Sequence, residues 1–154
     1  KYGSTPEQSA ASRAMIRERA AEVGFDMRMD EASRIWNTFD AHRLLAWAAA
    51  TAGPAGQRAL KKALFAAYFT EGRDVSDRAV LAEVALAAGL DGEEAAAVLA
   101  EGRFADEVRA GQGLWRGRGI NAVPAVVVEG RWLISGGQPA GVYEEALRKI
   151  AGEL

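Results

Sequence analysis

Over most of the chain apolar residues return at helical spacing; near its end they gather into two short continuous runs. Thr5-Pro6-Glu7-Gln8 reads as a helix start. Thr5 suits the cap, Pro6 the first helical position, and Gln8 sits three residues on from the cap. The pattern predicts a helix from about Pro6 to Val23, ended by Gly24, then a segment of alternating and polar character from Phe25 to Trp36 that reads as extended. A second helix is expected from Thr38 to about Ala52, with Ala41, Leu44, Leu45, Ala48 and Ala52 on its apolar stripe. Gly53-Pro54 breaks it and opens a third, to about Thr70, with Leu60, Leu64, Ala67 and Tyr68 inward. Ser76 is the expected cap of a fourth, with Val80, Leu81, Val84 and Ala88 at helical spacing, and Asp91 of a fifth, to about Ala100. A sixth covers about Arg103 to Arg116, and a last one about Gly141 to Ile150.

Between these last two lie the short apolar runs. Val126, Val127 and Val128 follow Val123-Pro124, a Glu129-Gly130 turn comes next, and Trp132-Leu133-Ile134 leads into Gly136-Gly137-Gln138-Pro139. This predicts a hairpin of strands at about Ala125–Val128 and Trp132–Ile134, with a proline where it can precede a sheet without breaking a ladder. A continuous valine run suits a strand buried on both faces of a larger sheet, yet the chain supplies one neighbour.

Composition narrows the function classes. The chain has 154 residues, 49% of them apolar and 26% charged, the balance of a globular domain or of one domain with an insertion. A net charge of −2 gives no electrostatic footprint for nucleic acid. No apolar run approaches the ~18 residues of a membrane span, so no membrane partner is expected. A cytoplasmic location is the default expectation. There is no cysteine, which excludes disulfides, thiolate metal sites and thiol catalysis within these residues.

Few residues are candidates for chemistry. His42 is the only histidine; alone on an amphipathic helix it reads as a packing residue. With no second histidine and no ligand spacing among the carboxylates, neither a metal nor another cofactor is expected. Asn37 and Thr38 read as helix caps, and Glu71-Gly72-Arg73-Asp74 as a turn with a local ion pair. Gly111, Gly113, Gly117 and Gly119 follow no strand and lack phosphate-loop spacing, which argues against nucleotide binding. Trp47, Trp115 and Trp132 read as core or site wall.

Gly119 to Pro139, with its Val123-Pro124 step, hairpin and Gly-Gln-Pro exit, resembles the second half of a thioredoxin fold, in which a cis-proline loop lies against a redox-active Cys-x-x-Cys. Asn37-Thr38-Phe39-Asp40-Ala41-His42-Arg43-Leu44, Ala63 to Asp77 and Ala88-Gly89-Leu90-Asp91 are similar to the helical insertion of DsbA-family oxidoreductases of the FrnE type. The resemblance implies an α+β, mostly helical fold: a helical insertion over residues 1–118 and a C-terminal ββα portion over 119–154. It also implies that an N-terminal strand, Cys-x-x-Cys helix and second strand are missing, so that the chain is the inactive C-terminal portion of a thiol–disulfide oxidoreductase. No catalytic residue is assigned within it. Val123 and Pro124 carry over as the substrate-binding loop, with a cis peptide bond between them, and a thiol or disulfide peptide is the implied substrate. Asn37 and His42 are candidate site-wall residues, with the helix that bears them expected beside the loop.

Two other readings stay open. The same segments resemble glutathione-dependent 2-hydroxychromene-2-carboxylate isomerases and kappa-type glutathione transferases, which would make glutathione the cofactor. A non-catalytic helical interaction module is the third. In every case the Ala125–Val128 edge is a liability if bare. It is expected to be paired in a homodimer, covered by a segment such as Phe25–Met29, or occupied by another fragment.

Overall fold

The computed structural model describes residues 5–28, 30 and 33–153. It contains α1 (Pro6–Glu22), α2 (Phe39–Phe65), a π-helical turn (Ala66–Thr70), α3 (Arg78–Ala87), α4 (Gly92–Ala100), α5 (Ala105–Gly117), β1 (Ala125–Val128), β2 (Trp132–Ser135) and α6 (Ala140–Ala151). The fold is α+β and mostly helical, as the pattern predicts. The chain divides into two compact units, Lys1–Val108 and Arg109–Leu154, with the division inside α5, whereas the resemblance implies a boundary at 118/119.

The first unit is built around α2, α3 and α4. α1 starts with a full capping box: Thr5 accepts from the Gln8 amide, and the Gln8 side chain accepts from the Thr5 amide at 2.9 Å. α2 is two helical segments that meet at Gly53, which sits at φ 66°, ψ −169°. The Gly-Pro break expected from sequence is therefore a kink between two helical segments. A side chain at that φ would be strained, and Pro54 then restarts the helix with no amide to satisfy. Asp91 caps α4, as expected. α3 is capped by Asp77, not Ser76. Ser76 is taken: its amide donates to Asp74 Oδ1 at 2.8 Å and its hydroxyl bonds the same oxygen, leaving the next residue to accept from Ala79 and Val80.

Leu44, Ala48, Leu60, Leu81, Ala85, Ala95 and Val98 are wholly inaccessible and form one cluster with Trp47, Leu64, Ala67, Val75, Val84 and Leu99. Ala52, expected on the inner stripe, is exposed, because the kink at Gly53 turns the last helical turn away from the core. Arg43 is the one buried charged residue among those described. Its Nη1 donates to Asp40 Oδ1 at 2.7 Å, Nη2 to the Val98 carbonyl at 2.6 Å and Nε to the Arg103 carbonyl at 2.8 Å. One guanidinium thus bonds carbonyls of the last turn of α4 and of the loop beyond it. Asp40 also accepts from Arg78 Nε at 2.9 Å, which ties the start of α2 to α3.

The second unit is a small ββα arrangement. β1 and β2 pair antiparallel, Ala125 with Ser135, Val126 with Ile134, Val127 with Leu133 and Val128 with Trp132. Glu129 and Gly130 both adopt positive φ (49° and 68°), the geometry that lets a tight turn follow the strand twist. α6 packs on β2, and Tyr143 donates its hydroxyl to the Gly136 carbonyl at 3.0 Å. Among the described residues β1 has no strand on its other edge. Met29, in the segment expected to cover that edge, lies outside the described residues. Residues 25–28 are engaged within the first unit: the Arg28 amide donates to the Phe69 carbonyl at 2.8 Å, and Phe25 meets Phe69 edge-on.

Candidate substrate-binding loop and the family of the chain

The loop before β1 is set from both ends. At its start α5 unwinds through Gly119, at φ 83°, and the Ile120 amide donates back to the Trp115 carbonyl at 3.1 Å. Positive φ after a helix end is a glycine position, and it redirects the chain toward the sheet. At its end the Gly136 amide donates to the Pro124 carbonyl at 2.9 Å, joining the loop to the exit of β2. Gly137 lies against Pro124, with 3.8 Å between Pro124 Cγ and the position a Cβ would take. The Val123–Pro124 peptide bond is cis.

This geometry leaves Val123 outermost. It is 86% exposed, and neither its amide nor its carbonyl has a hydrogen-bond partner among the described residues. Beside it lies an apolar cleft of about 390 Å³ lined by Trp115, Ile120, Val123, Ala125 and Val127. Trp115 forms one wall and carries the Arg118 guanidinium 5.2 Å from its ring. Ala125 and Val127 point the same way because they are two apart on one strand. Free backbone groups next to an apolar side-chain pocket are what an extended peptide needs: a ladder to pair with and a place for alternate side chains.

Asn37 and His42 lie in the other unit. Asn37 is a cap, its Oδ1 accepting from the Phe39 amide at 3.0 Å. Thr38, also expected to cap, makes no side-chain cap bond. His42 is exposed at the rim of a second, mostly apolar cleft, and its side chain has no hydrogen-bond partner among the described residues. The hydrogen-bonded packing role expected for it is corrected accordingly. It lies on the turn of α2 where the inward stripe passes to Ala41 and Leu44. Partial desolvation, and then the nearby Lys61 charge, hold its pKa below the ordinary histidine value. Trp132, read as core or wall, stacks under Arg131 at 4.6 Å. Among the described residues no three histidine, aspartate or glutamate side chains gather as a metal site, and no helix is long and apolar enough to cross a membrane.

The arrangement of helices, proline loop, hairpin and closing helix has a match. A family model described as a DSBA-like thioredoxin domain covers residues 2–148. The chain belongs to the DsbA-like thioredoxin family. It is similar to the crystal structure of a probable DsbA oxidoreductase from Streptomyces coelicolor, at 37% sequence identity and a TM-score of 0.90. That similarity covers 99% of this chain and 64% of the Streptomyces chain. No curated protein matches the chain significantly. Arg43 is the structurally decisive residue of this DsbA-like chain that sequence reasoning left unmarked. Its only local signal is an aspartate three residues before it, a common pairing on exposed helices.

Proposed function

We propose that the chain is the substrate-binding part of a FrnE-like thiol–disulfide oxidoreductase, and that its Val123–Pro124 loop receives an extended cysteine-containing peptide. The observation behind this reading is the Val123 backbone, 86% exposed and unpaired, beside the Trp115 cleft. A bound peptide adds itself as a strand, its amide and carbonyl pairing with those of Val123, while an apolar side chain enters the cleft. Pairing of this kind holds the peptide straight and fixes the position of its cysteine.

Exchange itself needs a thiolate to attack one sulfur of a disulfide and expel the other as a thiolate. The chain has no cysteine, so the attacking thiolate comes from outside these 154 residues. The chain's own work is to bind and orient. Family membership and the likeness to a probable DsbA oxidoreductase support this reading.

Amide NMR shifts on titration with an extended peptide that carries a blocked cysteine test it. Saturable shifts should centre on Ala122, Val123 and Ala125. Insulin reduction by dithiothreitol should not be accelerated by the chain alone. Shifts that avoid Val123, or acceleration above background, contradict the proposal.

A further inference from the structure

The first unit holds a cleft that the substrate-binding loop does not use. It has a volume of about 180 Å³ and is walled chiefly by Leu45, Leu64, Phe65, Tyr68, Phe69 and Val75, smaller than the roughly 300–1,000 Å³ of pockets for drug-sized ligands. The aromatic wall is a product of the π-helical turn at Ala66–Thr70. The wider turn sets the Phe69 ring against both neighbours, with centroids 5.9 Å apart for Phe65–Phe69 and 4.6 Å for Tyr68–Phe69. Such turns inside helices occur frequently at functional sites.

Three polar groups open onto this wall: Thr38, His42 and Lys61. The Thr38 hydroxyl caps nothing, since Asn37 bonds the Phe39 amide in its place. The His42 imidazole has no hydrogen bond among the described residues. Lys61 lies over the Phe65 ring at 5.9 Å and has no carboxylate partner among them. No carboxylate lines the cleft, and acids nearby in the unit are already engaged: Asp40 by Arg43 and Arg78, Glu71 by Arg73, Asp26 by Arg28. A lysine ammonium, an imidazole and a hydroxyl, all exposed at its rim and without a side-chain hydrogen-bond partner among the described residues, thus meet a small apolar cleft.

We infer that this cleft binds a small apolar monocarboxylate, its aliphatic body against Leu45, Leu64 and Phe69 and its carboxylate held by Lys61, His42 and the Thr38 hydroxyl. Charge complementarity decides the class: the pocket lacks only an anion, and its walls accept only an apolar body. The cleft belongs to the first unit and the peptide loop to the second, and neither proposal depends on the other.

Octanoate is the probe, with 1-octanol as the neutral molecule of the same length, each titrated into the full chain and followed by amide NMR shifts. Octanoate should give saturable shifts at His42, Lys61 and Phe69, and octanol should bind at least tenfold more weakly. Lys61→Met, an exposed substitution, should lower octanoate affinity about tenfold, the effect of one lost charge-assisted hydrogen bond. His42→Gln should lower it by a smaller factor and serves as a second variant. Absence of saturable shifts at the cleft, equal binding of octanol, or unchanged octanoate affinity in both variants would overturn the inference.

Discussion

The two units of this chain treat their apolar residues in opposite ways. In the first, leucines and alanines from α2, α3 and α4 are removed from water completely, and even a guanidinium is enclosed. In the second, Ile150 is the only buried hydrophobic residue among those described, while Val126, Leu133, Val142 and Leu147 are 39–50% exposed and Val123 still more so. A three-helix arrangement can close a core by itself because each helix offers a whole stripe. A two-stranded sheet with one helix has two faces and two edges to cover and too few elements to do so. The lesson is that exposure in the second unit is a property of its architecture. The same exposure leaves Val123 and the Trp115 cleft open to solvent.

Substitutions sort by the unit they touch. Arg43→Met should have the largest effect, about 3–5 kcal/mol of lost stability, because it removes a buried guanidinium's bonds to the Val98, Leu99 and Arg103 carbonyls and leaves Asp40 with one of its two cationic partners. Chemical denaturation monitored by helical circular dichroism reads this directly. Leu81→Ala, in the same core and wholly inaccessible, should cost about 2–5 kcal/mol from lost transfer energy and a residual cavity.

Asp40 should make the first unit acid-sensitive. Burial raises its pKa, but hydrogen bonds from Arg43 and Arg78 outweigh burial and hold it below the ordinary aspartate value. A depressed carboxylate contributes stability that is present above its unfolded pKa of about 4 and lost as pH falls through the folded value. Denaturation midpoints of the parent should therefore fall below about pH 4, and Asp40→Asn should flatten that slope while lowering stability at neutral pH. At the other extreme, Leu133→Ser should stay within about 0.5 kcal/mol, since Leu133 is half exposed in the second unit. A cost there equal to that of Leu81→Ala would erase the contrast between the units.

Much of this was legible in the chain. The Thr5 and Asp91 caps, the Gly53-Pro54 break and the hairpin around Glu129-Gly130 rest on local chemistry, and local chemistry is written in consecutive residues. The Val123-Pro124 loop was legible for the same reason: a proline before a β-branched run has few places to go. What escaped depends on competition among neighbouring groups or on distant partners. Asp74 captures Ser76 and moves a helix start by one residue. The π-helical turn at Ala66–Thr70 goes with the contacts of Phe69 to Phe65 and Tyr68, and nothing in their spacing marks it. Arg43 looks like any helix arginine until the end of α4 arrives to receive it. His42 was misread because an apolar stripe predicts which side of a helix turns inward, not where the edge of that side meets a cleft.

Amide hydrogen exchange on the whole chain, with and without an extended peptide, tests the contrast most directly, because exchange reports the free energy of opening segment by segment. Without peptide, amides of α2, α3 and α4 should exchange only through global unfolding, and those of β1, β2 and α6 through openings of much lower free energy. With peptide, protection should rise at Val123 and along β1 and stay unchanged in α2–α4. Equal protection of both units before peptide is added, together with no gain at Val123 afterwards, would contradict the account.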